Sequence, residues 1–402
     1  MMRYALAKPR VLKTSMTLAV VMATSLLLAS SALAWSPLAT TTPSTASSLN
    51  ASACIGDNWI SSSPVSTDCQ AWGNYTVASG ATTGAGAIIG TNLLGTYTLG
   101  SSPAGSPPAT IRGADCSPAC VQVGEHKGFA IATGSNLSVP LAPAGAVTSR
   151  LNAVSCNTGA SCVAVGQYTD SAGHSHGYVA VSSGAVWSVA YQYQPTETQD
   201  SALTGVSCVG RCLIVGTHTG GAGPLPIALI YTPSSGAVTT AAISGGAGGF
   251  RQLNGISCVS NFSQTKCEAV GSYKATLTGP TIPLYLQSTF AIGSTGAVTY
   301  TPETGTPAAP VAATTTRLNG VSCYWDSVRG FGCRVVGDSD ATGSVQPYLG
   351  TLTTAAVSAS SGSSGTATGT NCFDTGPSAR CYDVGTSTTS GVTQAIYNNW
   401  LL

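Results

Sequence analysis

Leu151-Asn-Ala-Val-Ser-Cys156, followed after a short loop by Cys162-Val-Ala-Val-Gly166, decides the fold of this chain. The first half is apolar at alternate positions and the second is largely β-branched, the pattern of two strands joined as an antiparallel hairpin. The unit recurs. Upstream halves read Leu49-Asn-Ala-Ser-Ala-Cys54, Leu203-Thr-Gly-Val-Ser-Cys208, Leu253-Asn-Gly-Ile-Ser-Cys258 and Leu318-Asn-Gly-Val-Ser-Cys323, and downstream halves include Cys212-Leu-Ile-Val-Gly216, Cys267-Glu-Ala-Val-Gly271 and Cys333-Arg-Val-Val-Gly337. Seven times a Cys-x-x-x-Gly stands shortly after another cysteine.

The resulting pairs are Cys54/Cys69, Cys116/Cys120, Cys156/Cys162, Cys208/Cys212, Cys258/Cys267, Cys323/Cys333 and Cys372/Cys381, which use all fourteen cysteines. The loop between partners varies from three residues to fourteen while its flanks stay fixed. A hairpin tolerates such variation, whereas a metal site needs constant ligand spacing, so one structural disulfide per repeat is expected.

Third strands follow after a turn, as in Gly177-Tyr-Val-Ala-Val181, Pro226-Ile-Ala-Leu-Ile-Tyr231 and Pro347-Tyr-Leu-Gly-Thr351. Shorter fourth strands are expected at Ala185-Val-Trp-Ser-Val189, Ala237-Val-Thr-Thr240 and Ala297-Val-Thr-Tyr300. No segment has helical periodicity. Four short strands in each of seven repeats predict an all-β, seven-bladed β-propeller in preference to a sandwich or solenoid. The last repeat ends after its third strand at Gln394 to Trp400, while Trp35-Ser-Pro-Leu-Ala stands before the first repeat as a spare strand. The N-terminal strand is therefore expected to complete the last blade and close the ring.

Residues 1–34 read as a secretory signal peptide: Arg3, Lys8, Arg10 and Lys13 precede an apolar run from Met16 to Ala29, and Ala32-Leu-Ala34 fits a cleavage site. An uncleaved anchor is the competing reading, since the run approaches membrane-spanning length. Cleavage leaves residues 35–402 with eleven basic residues against fourteen acids, a net charge of −3. That balance offers no electrostatic footprint for nucleic acid or an anionic membrane. Charged residues make up 7% of the chain, against about 25% in ordinary soluble domains. Few carboxylates imply tolerance of acid. A secreted monomer without a cofactor is expected.

The repeats resemble units of secreted proteins from actinobacteria and related soil bacteria, in which "GVSC…C.AVG.Y" recurs with a downstream "G…W" strand. The resemblance spans Trp35 to Leu402 and carries no activity or catalytic residue. The Trp-Asp ending, the sialidase Asp-box and the regulator-of-chromosome-condensation pattern of better-known propellers are missing from the sequence.

If the first strand is innermost, the disulfide loops crowd one face and the starts of the first strands share the opposite one, where propellers usually bind ligands. Four residues before each first cysteine stand Asn50, Arg112, Asn152, Thr204, Asn254, Asn319 and Thr368; six after each second cysteine stand Tyr75, His126, Tyr168, His218, Tyr273, Ser339 and Ser387. Amides and ring-bearing side chains with polar tips suit sugars or an extended peptide, and in a repeat they equally suit packing between blades. His174-Ser-His176 beside Asp170 is a candidate metal pair, and Asp338-Ser-Asp340 with Gly343 resembles the start of a calcium loop without its glutamate. No Gly-x-Ser-x-Gly elbow or repeated placement of acids marks a catalytic centre. These features predict a secreted propeller that binds an extracellular glycan, cell-wall polymer or protein. The alternatives are a polysaccharide hydrolase or lyase at the channel mouth, and a purely structural surface protein.

Overall fold

The computed structural model describes residues 36–401 except the stretches 38–43, 55–68, 78–81, 90–108, 117–119, 133–140, 158–160, 185, 196–198, 221–222, 245–249, 262, 277, 303–312, 327–329, 341–343, 353–354, 358–363 and 375–378. The segment read as a signal peptide lies outside them, as does Trp35. All regular structure among the described residues is β.

Strand β1 (Ser36–Pro37) precedes seven sheets. The first contains β2 (Ser44–Cys54), β3 (Cys69–Val77) and β4 (Thr82–Ile89); the second contains β5 (Ala109–Cys116), β6 (Cys120–His126) and β7 (Phe129–Ala132). The third runs β8 (Thr148–Asn157), β9 (Ser161–Thr169), β10 (Ser175–Ser183), β11 (Val186–Tyr193), and the fourth β12 (Ser201–Val209), β13 (Arg211–Gly220), β14 (Gly223–Thr232), β15 (Ala237–Thr240). In the fifth, β16 (Ala242–Ile243) lies parallel to β20 (Thr299–Pro302), outside β17 (Phe250–Ser260), β18 (Gln264–Lys274) and β19 (Ile282–Ala291). The sixth comprises β21 (Thr316–Asp326), β22 (Gly330–Ser339), β23 (Gln346–Thr351) and β24 (Ala355–Val357). The seventh comprises β25 (Ser364–Asp374), β26 (Ala379–Thr389) and β27 (Val392–Leu401), with β1 antiparallel on its edge through Ser36 opposite Tyr397.

The cysteine pairs sit directly opposite each other in the hairpins, and six bridges join them, from Cys116–Cys120 to Cys372–Cys381. Cys54 is also disulfide-bonded and faces Cys69 in register. The fourth strand of the third sheet starts at Val186 and runs on to Tyr193, beyond the expected end at Val189; that of the fifth starts at Thr299 rather than Ala297. The parallel β16 had no counterpart in the repeat pattern.

One irregularity is common to all seven sheets. The register between first and second strands slips between Leu49 and Ala51, Ile111 and Gly113, Leu151 and Ala153, Leu203 and Gly205, Leu253 and Gly255, Leu318 and Gly320, and Ala367 and Gly369. The skipped residue, four before the cysteine, is the extra residue of a β-bulge. Opposite it lies the glycine of Cys-x-x-x-Gly. A Cβ on Gly73, Gly124, Gly166, Gly216, Gly271, Gly337 or Gly385 would overlap the carbonyl oxygen of the first-strand residue beyond the bulge, which accounts for a glycine in every copy.

The core lies between neighbouring sheets. Val163, Val165 and Val179 of the third sheet pack with Leu203, Ile214, Ile227 and Leu229 of the fourth, and Val270 and Tyr285 of the fifth with Leu318, Val335 and Tyr348 of the sixth. In four of the sheets the leucine opening the motif is the deepest apolar side chain of its strand: Leu151, Leu203, Leu253 and Leu318 are fully buried. Burying such a side chain contributes about 1.5–3 kcal/mol. A buried ion pair lies between the sixth and seventh sheets. Arg334 donates to Asp383 from Nη2 at 2.8 Å and Nε at 3.2 Å, and Thr370 Oγ1 donates to the other carboxylate oxygen at 2.8 Å.

First strands of all seven sheets line one central cavity of ≈ 160 Å³. Sheets stacked in chain order around a common channel, each innermost by its first strand, define a β-propeller.

Candidate functional site: the channel mouth

The bulge residues encircle the end of the channel where the first strands begin. Six of them bond sideways to the next sheet. Asn50 Nδ2 donates to Ile111 O at 2.7 Å, Asn152 to Leu203 O at 2.8 Å, Asn254 to Leu318 O at 2.7 Å and Asn319 to Ala367 O at 3.0 Å. Thr204 Oγ1 reaches Leu253 O at 2.6 Å, and Thr368 Oγ1 reaches Leu49 O at 2.6 Å. The bulge is what makes this possible, because it turns a side chain along the ring while leaving its strand paired on both sides of the slip. Four of the ring residues expected to face a ligand, Asn50, Asn152, Asn254 and Asn319, thus have their amide nitrogens committed to backbone.

Arg112 is the exception. Its Nη2 bonds Glu125 Oε1 at 2.8 Å within its own sheet. Arg150 stands close by, with Nη2 on Gln167 Oε1 at 3.1 Å, and burial and the neighbouring Arg112 charge lower its pKa.

A matching girdle stands at the disulfide end. In five sheets, the second to the sixth, the side chain before the first cysteine accepts from the cysteine N–H of the following sheet: Asp115 from Cys156 at 2.6 Å, Ser155 from Cys208 at 3.1 Å, Ser207 from Cys258 at 2.9 Å, Ser257 from Cys323 at 2.9 Å and Ser322 from Cys372 at 2.8 Å. The Asn and the Ser of Asn-Gly-Val-Ser-Cys thus each make a side-chain hydrogen bond to the following sheet, as in Asn254 with Ser257 and Asn319 with Ser322.

The Tyr and His positions six after the second cysteine lie at the outer end of the second strands. Tyr168 is buried, holds Gln192 at 2.9 Å and Gln194 at 2.7 Å through its hydroxyl, and meets Tyr178 edge-on at 6.1 Å. His218 packs edge-on against Tyr193 at 6.2 Å, and burial lowers its pKa. Tyr273 lies under the Arg251 guanidinium at 5.4 Å. His126 is half-buried and Ser339 and Ser387 are buried; the side chain of Tyr75 lies outside the described residues. Packing between sheets accounts for most of this ring.

The polar groups that meet the bulge residues at the mouth sit one position earlier. Asn74 accepts from Asn50 and Ser48, Glu125 from Arg112, and Asp338 from Asn319 at 2.9 Å. Counting straight back from the cysteines misses them, because the bulge shifts the pairing by one residue. Burial raises the pKa of Asp338, against the opposing effect of the Asn319 hydrogen bond.

The candidate metal pair does not converge. His176 is buried with Nε2 2.9 Å from Asp170 Oδ2, while His174 Nδ1 lies 3.7 Å from Asp200 Oδ1. Asp340 is occupied by the backbone of Thr314 and Thr315 at 2.8 Å, so it caps a turn where a calcium loop would need a free ligand. Among the described residues no group of three or more His, Cys, Asp and Glu side chains is placed to hold a metal ion. No described helix is long and apolar enough to cross a membrane.

No family model and no curated protein matches the chain. Solved structures do. The chain is similar to a protein of unknown function from Dyadobacter fermentans at 9% identity and a TM-score of 0.45, over 92% of this chain and 98% of that one. It is similar to the Trypanosoma rangeli sialidase at 7% identity and a TM-score of 0.43, over 91% and 58%. The fucose-recognising Aleuria aurantia lectin, a six-bladed β-propeller, matches at 12% identity and a TM-score of 0.37, over 76% and 93%. At these values the likeness carries nothing about ligand or activity.

Proposed function

We propose that the protein is an extracellular seven-bladed propeller, closed by its N-terminal strand, that binds a glycan through the channel-mouth face. The disulfides in every repeat support an oxidising compartment. Pairing of β1 with β27, and the Thr368 bond to Leu49, support closure of the ring. The observation that carries the binding reading is the mouth itself, where amides, hydroxyls and the Arg112–Glu125 and Arg150–Gln167 pairs surround a small channel on a rigid frame. Rigid polar groups suit sugar hydroxyls at low entropic cost.

A glycan array probed with the secreted protein tests this reading, with retention of one saccharide class expected and weakened in Arg150→Ala. Binding confined to proteins, or unaltered by changes at the mouth, would refute it.

One observation favours the hydrolase alternative. Glu125 and Asp338 are carboxyls on the second and sixth sheets at the mouth, and Asp338 has the raised pKa of a general acid. Turnover of a polysaccharide that disappears in both Glu125→Gln and Asp338→Asn would establish it.

A further inference from the structure

A second cavity, of ≈ 230 Å³, opens on the same face but outside the channel, where the fourth, fifth and sixth sheets meet. Its walls include Gln252, Ser272, Tyr273, Lys274, Thr281 and Arg317. The floor is fixed by backbone: Thr281 N donates to Thr314 O at 3.0 Å and Thr316 N to Thr281 O at 2.8 Å, tying the fifth sheet to the sixth. Tyr273 is held in place by the Arg251 guanidinium over its ring.

The charges of this cavity are one-sided. Lys274 and Arg317 line it and no acid does. The acid opposite Arg317 in the strand register, Asp338, accepts its hydrogen bond from Asn319 at the channel and feels the Arg317 charge without lining the cavity. In a chain with so few charges, this cavity sets two cations beside a tyrosine ring, an amide and two hydroxyls. The equivalents of Lys274 are Thr76, Lys127, Thr169, Thr219, Asp340 and Thr388, and those of Arg317 are Ser48, Thr110, Arg150, Ala202, Gln252 and Thr366, so the cation pair recurs once, as Lys127 with Arg150 between the second and third sheets, where the acid Glu125 takes the place of Ser272. The volume lies below the range of about 300–1,000 Å³ that encloses a drug-sized molecule, so it takes one unit of a longer chain.

We propose that this cavity binds a single carboxylate-bearing sugar residue of an acidic polysaccharide. Tyr273 offers apolar surface to the sugar ring, Gln252, Ser272 and Thr281 face its hydroxyls, and Lys274 and Arg317 receive the carboxylate. The proposal rests on the glycan-binding reading and narrows it to one cavity and one charge class.

The test is calorimetric titration of the full secreted protein with an oligogalacturonate and with its fully methyl-esterified form, in which every carboxylate is a neutral methyl ester. The acid form is expected to bind, with affinity falling as salt rises. Lys274→Gln and Arg317→Gln are each expected to weaken it about tenfold, and Lys266→Gln, on the disulfide face, to leave it unchanged. Melting curves of the variants verify that they fold. Equal binding of both forms, or acid binding indifferent to Lys274 and Arg317, overturns the inference while leaving a glycan-binding propeller. Retention of no glycan of any class overturns both.

Discussion

Gly271 lies so close against the carbonyl oxygen of Gln252, across the bulge between β17 and β18, that no side chain fits between them. The obstruction is backbone held in a sheet, which has no room to yield. Gly271→Ala is therefore expected to destabilise the protein by about 3 kcal/mol. Gly255→Ala is the control. Its Cβ would meet Asn319 O and Gly320 Cα at 3.3 Å, and alanine already stands at the equivalent Ala51 and Ala153, so the change should stay within about 1 kcal/mol. Guanidinium unfolding of both variants measures the difference.

Asn254→Ala removes the bond to Leu318 O and leaves a carbonyl at the fifth-to-sixth boundary short of a donor. A loss of about 1–2 kcal/mol is expected. Asn254→Thr should recover much of it, since Thr204 and Thr368 make the same contact. Chemical denaturation of the pair provides the comparison.

Asp383→Ala removes the carboxylate that Arg334 meets in a buried site between the sixth and seventh sheets. Loss of one partner of a buried pair costs about 3–5 kcal/mol. The melting temperature should fall well below that of any single girdle variant.

Deletion of residues 35–42 removes β1 and uncovers the edge of β27 at Ile396 and Tyr397. An unpaired edge invites pairing between molecules. A lower melting temperature together with oligomers in light scattering is expected; an unchanged monomer would count against closure through β1.

Acid acts in opposite directions at different sites. Asp115 and Asp338 have pKa values raised by burial, so between the ordinary carboxylate value and the raised one the folded state holds more protons than the unfolded state. Stability from these two groups increases as pH falls through that window. His218, lowered by burial, works against this: protonation below its ordinary value of 6.5 favours unfolding. Asp170 and Asp340, lowered by hydrogen bonds from His176 and Thr314 respectively, lose their contribution only below the ordinary carboxylate range. Asp338→Asn should therefore reduce the gain on acidification from pH 7 to pH 4.5, and His218→Gln should enlarge it. Unfolding curves at the two pH values read both.

The cysteine spacing and the alternation around it made the hairpins, their bridges and most third strands legible in the sequence. The direction of Asn254 was not. A residue counted as pointing into the channel is turned along the ring by a bulge that period-two counting does not contain, and its partner, Leu318 O, lies 64 residues away. The same slip put Tyr273 where Ser272 was needed and drew attention to rings that pack between sheets. The second cavity escaped for a different reason. Lys274 and Arg317 belong to different repeats, so comparing one repeat with another never sets the two side by side.

The boundary between the second and third sheets lacks the mouth bond that the bulge residue makes elsewhere, because Arg112 turns to Glu125. Only the Asp115 contact to Cys156 remains there of the two girdles. Each first strand from the third sheet to the sixth is fastened to its successor at both ends, whereas the first sheet, with Ala53 before Cys54, keeps only the Asn50 bond to the second, so mechanical load or heat would find its seam at the two joints flanking the second sheet. Opening there would expose β5 and β8 to exchange or protease before the rest of the ring lets go.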